Sequence, residues 1–313
     1  MSAMHIGIVA INGCFSSGLT ALLDILSVAE GSRADIDPSI PAITVDVLGR
    51  YRRVTTSAGL TIPTSGSLAD LASVDVVVVA GLGTLNGADT VSALASSECS
   101  AVVRQLCDLG HRRSTVSAAC TGVFALAEAG MLEQLRATTS WWAGPAFKRR
   151  YPGVTLDLDA MVVADEGTIT AGAAFSHIDL ALTLVSRTSS LLAEHVARLL
   201  VIDHRPAQSA YVVVEHLRHD DSLVRGFEQH ARAHLHQPFD IGTVATTIGT
   251  SRRTLERRTN ASLGMSPLAL VQRLRVERAT HLLRTTDQSI EQIAPHVGYA
   301  NGSTLATLLR RLR

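Results

Sequence analysis

A short pattern occurs twice between Ile241 and Arg311, and it constrains that part of the chain more than any other feature. The first copy runs Ile241-Gly-Thr-Val-Ala-Thr-Thr-Ile-Gly-Thr250, then Ser251-Arg-Arg-Thr-Leu-Glu-Arg-Arg-Thr-Asn260. Ile241, Val244, Ala245 and Ile248 share one helical face, Gly249 supplies the left-handed residue that a tight turn needs, and Ser251 is placed to cap a second helix. Leu255 anchors that second helix, which leaves Arg252, Arg253, Arg257 and Arg258 to face water or a polyanion. The second copy, Ser289 to Arg311, again places isoleucines (Ile290, Ile293) at helical spacing, a turn at Gly298 and a helix ending in arginine. Between the copies Val271, Leu274, Ala279, Leu282 and Leu283 predict one longer helix over 267–283, with Pro267 in the permissive first turn. Each copy reads as a helix-turn-helix, the layout in which the second helix enters a major groove.

The net charge of zero conceals a division. Residues 1–217 carry 14 basic and 20 acidic side chains and residues 218–313 carry 14 basic and 8 acidic, so the two parts stand at −6 and +6. All 14 basic residues of the second part are arginines, whose planar fork suits bidentate contact with phosphate or guanine. At 313 residues the chain is long enough for two domains, each with its own core. A basic nucleic-acid module joined to an acidic domain is the reading that fits; a solvated charged face on a helical bundle is the plainer one, and the repeated motif weighs against it. The apolar runs Ile6 to Ile11 and Val76 to Ala80 are too short for a signal-peptide core or a membrane span. Four cysteines (Cys14, Cys99, Cys107, Cys120) without zinc spacing fit a reducing cytoplasm, and neither metal nor cofactor is expected.

The first two hundred residues alternate between strand and helix signals. His5 to Ile11 is an apolar run followed by leucines at helical spacing (Leu19, Leu22, Leu23, Leu26), Ile43 to Leu48 alternates, and Val74 to Ala80 is apolar throughout before the turn Gly81-Leu-Gly83. With a helix over 98–109, this predicts an α/β domain of flavodoxin-like type, a mostly parallel sheet covered by helices on both faces, with an all-α double helix-turn-helix domain after it. Ligands in such sheets collect at the C-terminal strand ends. A helix over 186–202 and the polar stretch from Asp203 to Ser209 suggest domain limits of 1–202 and 218–313 with a linker over 203–217. Tyr211-Val-Val-Val214 has strand-like composition inside that linker.

Ser114-Thr-Val-Ser-Ala-Ala-Cys120-Thr-Gly-Val-Phe-Ala-Leu-Ala reads as a strand running into a helix with a cysteine at the corner. An elbow of this kind holds its side chain above the sheet beside free helix-terminal amides, as a nucleophile site does. The pocket expected around it comprises Gly13, Cys14, Gly81, Leu82, Gly83, Cys120, Thr121 and Ser140.

The C-terminal part resembles the AraC/XylS family of DNA-binding domains through Ser251-Arg-Arg-Thr-Leu-Glu-Arg-Arg258, Gly264-Met-Ser-Pro-Leu268, Arg275-Val-Glu-Arg-Ala279 and Ile293-Ala-Pro-His-Val-Gly-Tyr299. One departure is that Leu305 and Leu308 stand where that family usually shows phenylalanines. The elbow, Gly81-Leu-Gly83 and Arg136-Ala-Thr-Thr-Ser140-Trp-Trp142 resemble the PfpI-like branch of the class I glutamine amidotransferase-like fold, over about residues 4–185. The order of the two parts resembles the GlxA-type regulators. Active members of the amidotransferase-like superfamily carry a histidine after the paired threonines and often an acid in the first loop; here Ser140 and Gly18 stand at those places. The resemblance therefore implies a transcriptional regulator whose Cys120 lines a pocket without catalysing, and a cysteine-dependent amidase or peptidase with a nucleic-acid module is the alternative.

On this reading Ser251, Arg252, Arg253, Thr254, Arg257, Arg258, Asn301, Ser303, Thr304, Arg310 and Arg311 meet double-stranded operator DNA. A small-molecule effector and a second copy of the chain are the other partners, and no membrane is involved. Among the remaining candidates, His177 is expected near the pocket as a cap or packed residue, Asp24 on a helix surface, and Trp141 and Trp142 in core packing. A redox pair of Cys14 with Cys120 has no support from spacing.

Overall fold

Four consecutive valines, Val76–Val79, form a strand buried on both sides: Val77 and Val79 enter one hydrophobic cluster, Val76 and Val78 the other. The computed structural model describes residues 3–110, 114–203, 205, 207–208 and 221–311, the side chains of Arg284 and Arg311 excepted. Most of the expected linker, including the run 211–214, lies outside them, as do His111 and His204. Contacts divide the chain into two compact units, Met1–Gln208 and Ser209–Arg313.

In chain order the strands of the first unit are β1 (Met4–Val9), β2 (Ile43–Gly49), the ribbon of β3 (Arg53–Thr55) with β4 (Thr61–Pro63), β5 (Gly66–Ser67), β6 (Val76–Val79), β7 (Thr115–Ala119), the paired β8 (Arg136–Ala137) and β9 (Thr155–Leu156), then β10 (Val162–Asp165) and β11 (Thr168–Ala171). Among the described residues seven form one sheet in the order β10-β11-β7-β6-β1-β2-β5, with every neighbour parallel except β10 and β11. That hairpin turns through Glu166 (φ 40°) and Gly167 (φ 84°), both left-handed as a two-residue hairpin turn requires. One sheet face is covered by α1 (Ser16–Ile36) and, further on, by two helices packed beside it; the other carries α2 (Gly87–Leu94), α3 (Ser97–Leu109), α4 (Val123–Glu128) and α5 (Gly144–Arg150).

The helix expected over 186–202 is the shorter α7 (Ser190–Leu199), because residues 186–188 end the helix before it, α6 (Ser176–Thr188); both lie on the α1 face. Ser189 is extended (φ −157°, ψ 118°), and its hydroxyl accepts from the Leu192 amide, so the same residue stops one helix and caps the next. Asp24 is exposed on α1, while Trp141 and Trp142 are half-buried, and Trp142 packs against the hydrophobic cluster on the α2–α5 side of the sheet.

The second unit is helical throughout its described length: α8 (Ser222–Ala233), α9 (Ile241–Thr247), α10 (Arg252–Leu263), α11 (Pro267–Thr285), α12 (Ile290–His296) and α13 (Gly302–Arg311). Asp221, Asp240, Ser251, Ser266 and Ser289 each cap the helix that follows, by a side-chain oxygen that accepts a first-turn amide. The two turns pivot on Gly249 (φ 73°) and Gly298 (φ 77°), where a side chain would be strained. Val224, Phe227, Ala245, Leu255, Leu270 and Leu274 are buried around the first helix-turn-helix. The second closes over Ala279, Ile293, Ala294, Val297, Leu305 and Leu309, with Leu308 only half-buried, so its apolar seam runs through Leu305 and Leu309.

Candidate functional site

The parallel strands β1, β6, β7 and β11 all finish at one edge of the sheet, and the elbow is built there. Ala119 ends β7 in extended conformation and Cys120 follows at φ 56°, a left-handed backbone that costs a non-glycine residue about 1–2 kcal/mol. One turn of 3-10 helix (Cys120–Gly122) comes next, and only then α4, so strand and α-helix are not directly joined. Two contacts hold the corner. The Thr139 hydroxyl donates to the Cys120 carbonyl at 2.7 Å. Gly122 lies so close to the β6 end that a Cβ there would stand 2.6 Å from the carbonyl oxygens of Val79 and Ala80. The Leu82 amide donates to Thr121 Oγ1 at 2.8 Å, and Gly83 (φ 73°) is pressed onto the Gly13 carbonyl with no room for a Cβ. The structure therefore brings Gly13, Cys14, Gly81, Leu82, Gly83, Cys120, Thr121 and Ser140 into one neighbourhood.

The chemistry of that neighbourhood is muted. Cys120 is 4 % exposed, and burial pushes its thiol up, against the opposing hydrogen bonds from Ser140 and Thr121. Ser140 Oγ donates to Cys120 Sγ at 3.0 Å, which polarises the sulfur but removes no proton. Cys14 is buried as well and pushed up to about 11, and both thiols are free. His177 is fully buried, as its reading as a packed residue predicts. Its Nε2 accepts from the Gly81 amide at 3.1 Å, so the proton of the neutral ring sits on Nδ1 and is donated to the Ala174 carbonyl. Burial lowers the His177 pKa to about 4. Both ring nitrogens are engaged with backbone, and neither is available as a base toward Cys120. The ring also explains Gly18: a Cβ there would fall 2.7–2.9 Å from three ring atoms, so the imidazole occupies the space an acidic side chain would need.

Sequence reasoning missed two buried polar groups here. Glu98, at the start of α3, accepts from the Asn12 amide and its side-chain nitrogen at 3.2 Å and fastens the loop after β1. Gln208, inside the stretch read as linker, is 1 % exposed and inserted beside Thr138 and Thr139. No pattern in the sequence marks either residue, because their partners are 48 or more positions away.

In the second unit the arginines of α10 separate into different roles. Arg252 pairs with Glu256 one turn on, Nε to Oε1 at 2.8 Å, on the exposed surface. Arg258 is half-buried, and its Nε donates at 2.6 Å to Asp221 Oδ2, whose other oxygen caps α8. That guanidinium holds the Asp221 carboxyl below the usual range, so Arg258 serves as a brace between helices and not as an outward contact. Arg253 and Arg257 are exposed one turn apart and, among the described residues, have no carboxylate partner. Ser251 and Thr254 are spent on the cap: the Thr254 amide donates to Ser251 Oγ and the two hydroxyls meet at 2.9 Å. At α13, Asn301 Oδ1 accepts from the Thr304 amide and from the hydroxyls of Ser303 and Thr304. Arg310 is exposed near the end of α13, and the Arg311 side chain lies outside the described residues.

Residues 6–187 match the DJ-1/PfpI family and residues 244–313 match a helix-turn-helix domain. The chain is 30% identical over 256 residues to the HTH-type transcriptional regulator CdhR of Pseudomonas aeruginosa, covering 80% of this chain and 73% of that protein. It is 26% identical over 242 residues to the HTH-type transcriptional regulator GlxA of Rhizobium meliloti, covering 76% and 71%. Among solved structures, an AraC family transcriptional regulator from Pseudomonas putida aligns with a TM-score of 0.53 at 22% identity, over 63% of this chain and 99% of that one. A THiJ/PfpI family protein from Pseudomonas syringae aligns with a TM-score of 0.53 at 19% identity, over 66% and 78%. These two likenesses speak for the fold of the first unit.

Proposed function

The chain belongs to the GlxA-type branch of the AraC/XylS regulators, a DJ-1/PfpI domain followed by a helix-turn-helix domain, and on that premise we propose that it binds operator DNA through α10 and α13 while its first unit senses a small molecule without catalysis. The observation that carries this reading is α10. Its N-terminus is capped, its inner face is anchored by the fully buried Leu255, and Arg253 and Arg257 project from it without a protein counter-charge among the described residues. Such a pair is suited to phosphate or to guanine O6 and N7. Of the expected domain limits, 1–202 and 218–313, the proposal keeps the second and carries the first domain on to Gln208, which is packed inside that unit.

The sensing role rests on the elbow. It retains a corner cysteine at the C-terminal strand ends, where ligands of such sheets bind, yet among the described residues offers that thiol neither a base nor a cation. Leu191 and Leu199 on α7, with Val201 just beyond it, are exposed apolar residues and support self-association of this unit. Among the described residues no helix is long and apolar enough to cross a membrane. A cytoplasmic location belongs to the same proposal, supported by the role on DNA.

Gel-shift titration of the full chain on fragments selected from genomic DNA tests the proposal. Binding should be specific and should weaken steeply with salt. Arg253→Ala with Arg257→Ala should abolish retention, and retention unchanged in that double variant would refute the role of α10.

A further inference from the structure

Gln208 is the last described residue of the first unit, and its side chain fills a pocket built for something that donates hydrogen bonds. Its Nε2 donates to Thr138 Oγ1 at 2.8 Å, to the Thr139 carbonyl at 3.0 Å and to the Ala160 carbonyl at 3.3 Å. Thr138 Oγ1 is committed as an acceptor there, because its own proton goes to the Ala160 carbonyl at 3.1 Å. Turning the amide over would set its oxygen against three acceptors, so its orientation is fixed by chemistry. The other end is unsatisfied: Gln208 Oε1 is buried and has no partner among the described residues. Gly172 makes the space, since a Cβ there would stand 2.6–2.8 Å from the Gln208 amide atoms. The site adjoins the elbow, because Thr139 also holds the Cys120 carbonyl and Ser140 Oγ reaches both Cys120 Sγ and the Gly172 carbonyl.

We infer that this is a binding site for the terminal nitrogen of a small molecule, a primary amide or ammonium group with at least two N–H donors, that Gln208 occupies it in the absence of that molecule, and that displacing Gln208 loosens the segment leading to Ser209. Among the described residues the site presents acceptors to the nitrogen and no donor to the amide oxygen, so glutamine is an imperfect occupant and is displaceable. The segment it holds is otherwise tied by the Gln208 amide to the Asp159 carbonyl at 3.0 Å, by the bridge of Ala207 with Ala160, and by Arg205 on Asp179 and the Phe175 carbonyl. The inference rests on the sensor reading for its consequence on DNA, but the site itself is tested without DNA.

Gln208→Ala removes the four heavy atoms that acetamide would restore. In the full-length variant, hydrogen exchange at the amides of residues 207 and 208 should quicken by about tenfold or more, as the loss of several buried hydrogen bonds requires. Millimolar acetamide or ethylammonium should slow it again and raise the melting temperature, whereas N,N-dimethylacetamide, with no N–H, should do neither. Whichever of the two donors protects better identifies the group as amide or ammonium. Gly172→Ala keeps Gln208 but expels its amide, and should give the same faster exchange without creating a site for acetamide. Exchange unchanged in both variants, or equal protection by acetamide and its dimethyl analogue, would overturn the inference. Absence of DNA binding by the wild-type chain would count against the regulator reading and leave the site standing.

Discussion

His177 is kept neutral by its burial, against the Ala174 carbonyl, whose hydrogen bond favours the protonated ring. Protonation would require Nε2 to give up its role as acceptor for the Gly81 amide, and no carboxylate is among the causes of its shift. With an ordinary pKa of 6.5 and a folded value of about 4, the unfolded chain takes up a proton as pH falls below 6.5 while the folded chain does not. The contribution is therefore fully present above pH 6.5 and is lost as pH falls toward about 4, by up to about 3 kcal/mol. Denaturant midpoints measured between about pH 7 and about pH 4.5 should fall accordingly. His177→Gln should flatten that dependence; an equal slope in the variant would assign it to another group. At the neighbouring thiol, iodoacetamide should modify exposed Cys107 long before buried Cys120. Cys120→Ser should leave DNA retention unaltered, and an amide hydrolysis that disappears in this variant would reinstate the enzymatic reading.

Within a single element, α10 shows why neighbouring arginines are not equivalent. Arg257 faces solvent and Arg258 is turned toward Asp221, because Leu255 and Thr259 are buried and fix the rotation of the helix. Arg258→Ala would leave the partly buried Asp221 carboxylate short of its counter-charge, at a stability cost of about 1–2 kcal/mol visible in thermal melts. Arg253→Ala and Arg257→Ala should leave the melting temperature unchanged. Each should cost ~1–3 kcal/mol of binding and relax sequence choice at one position where the contact is to a base, or weaken all sequences alike and lower the salt slope by about one unit where it is to phosphate. A melting temperature lowered more by Arg257→Ala than by Arg258→Ala would reverse the two roles.

Across the second unit, α10 and α13 are both second helices of a helix-turn-helix and are joined through α11, so one chain should reach major-groove segments about one turn, roughly 10 bp, apart. The two halves of the site should not be read equally. On α13 the side chains of Asn301, Ser303 and Thr304 are hydrogen-bonded to one another, and exposed Arg310 stands near the helix end, an arrangement suited to phosphate. Base substitution across a footprinted operator should therefore change affinity most in the half beneath α10, and equal or greater sensitivity beneath α13 would contradict this. Sedimentation of the full chain, alone and with DNA, checks whether two copies occupy a doubled site.

Local signals in the sequence determined a good deal. The valine run of β6, the leucine spacing of α1, the capping serines and aspartates of the second unit and the glycines of its turns each act within a few residues, so periodicity and cap chemistry suffice to place them. The corner at Cys120 and the absence of a histidine at position 140 were legible for the same reason. What a side chain does once it is buried was not. Whether His177 could serve as a base depended on Gly81, 96 positions away, taking its lone pair; Arg258 differed from Arg257 because of Asp221, 37 positions back; and Gln208 left the linker for the interior because Gly172 and the Thr138–Thr139 pair left it a space of its own size. Hydrogen bonds and close packing between distant segments are set only when the chain is folded, because they depend on angstrom-scale distances that no spacing along the sequence encodes.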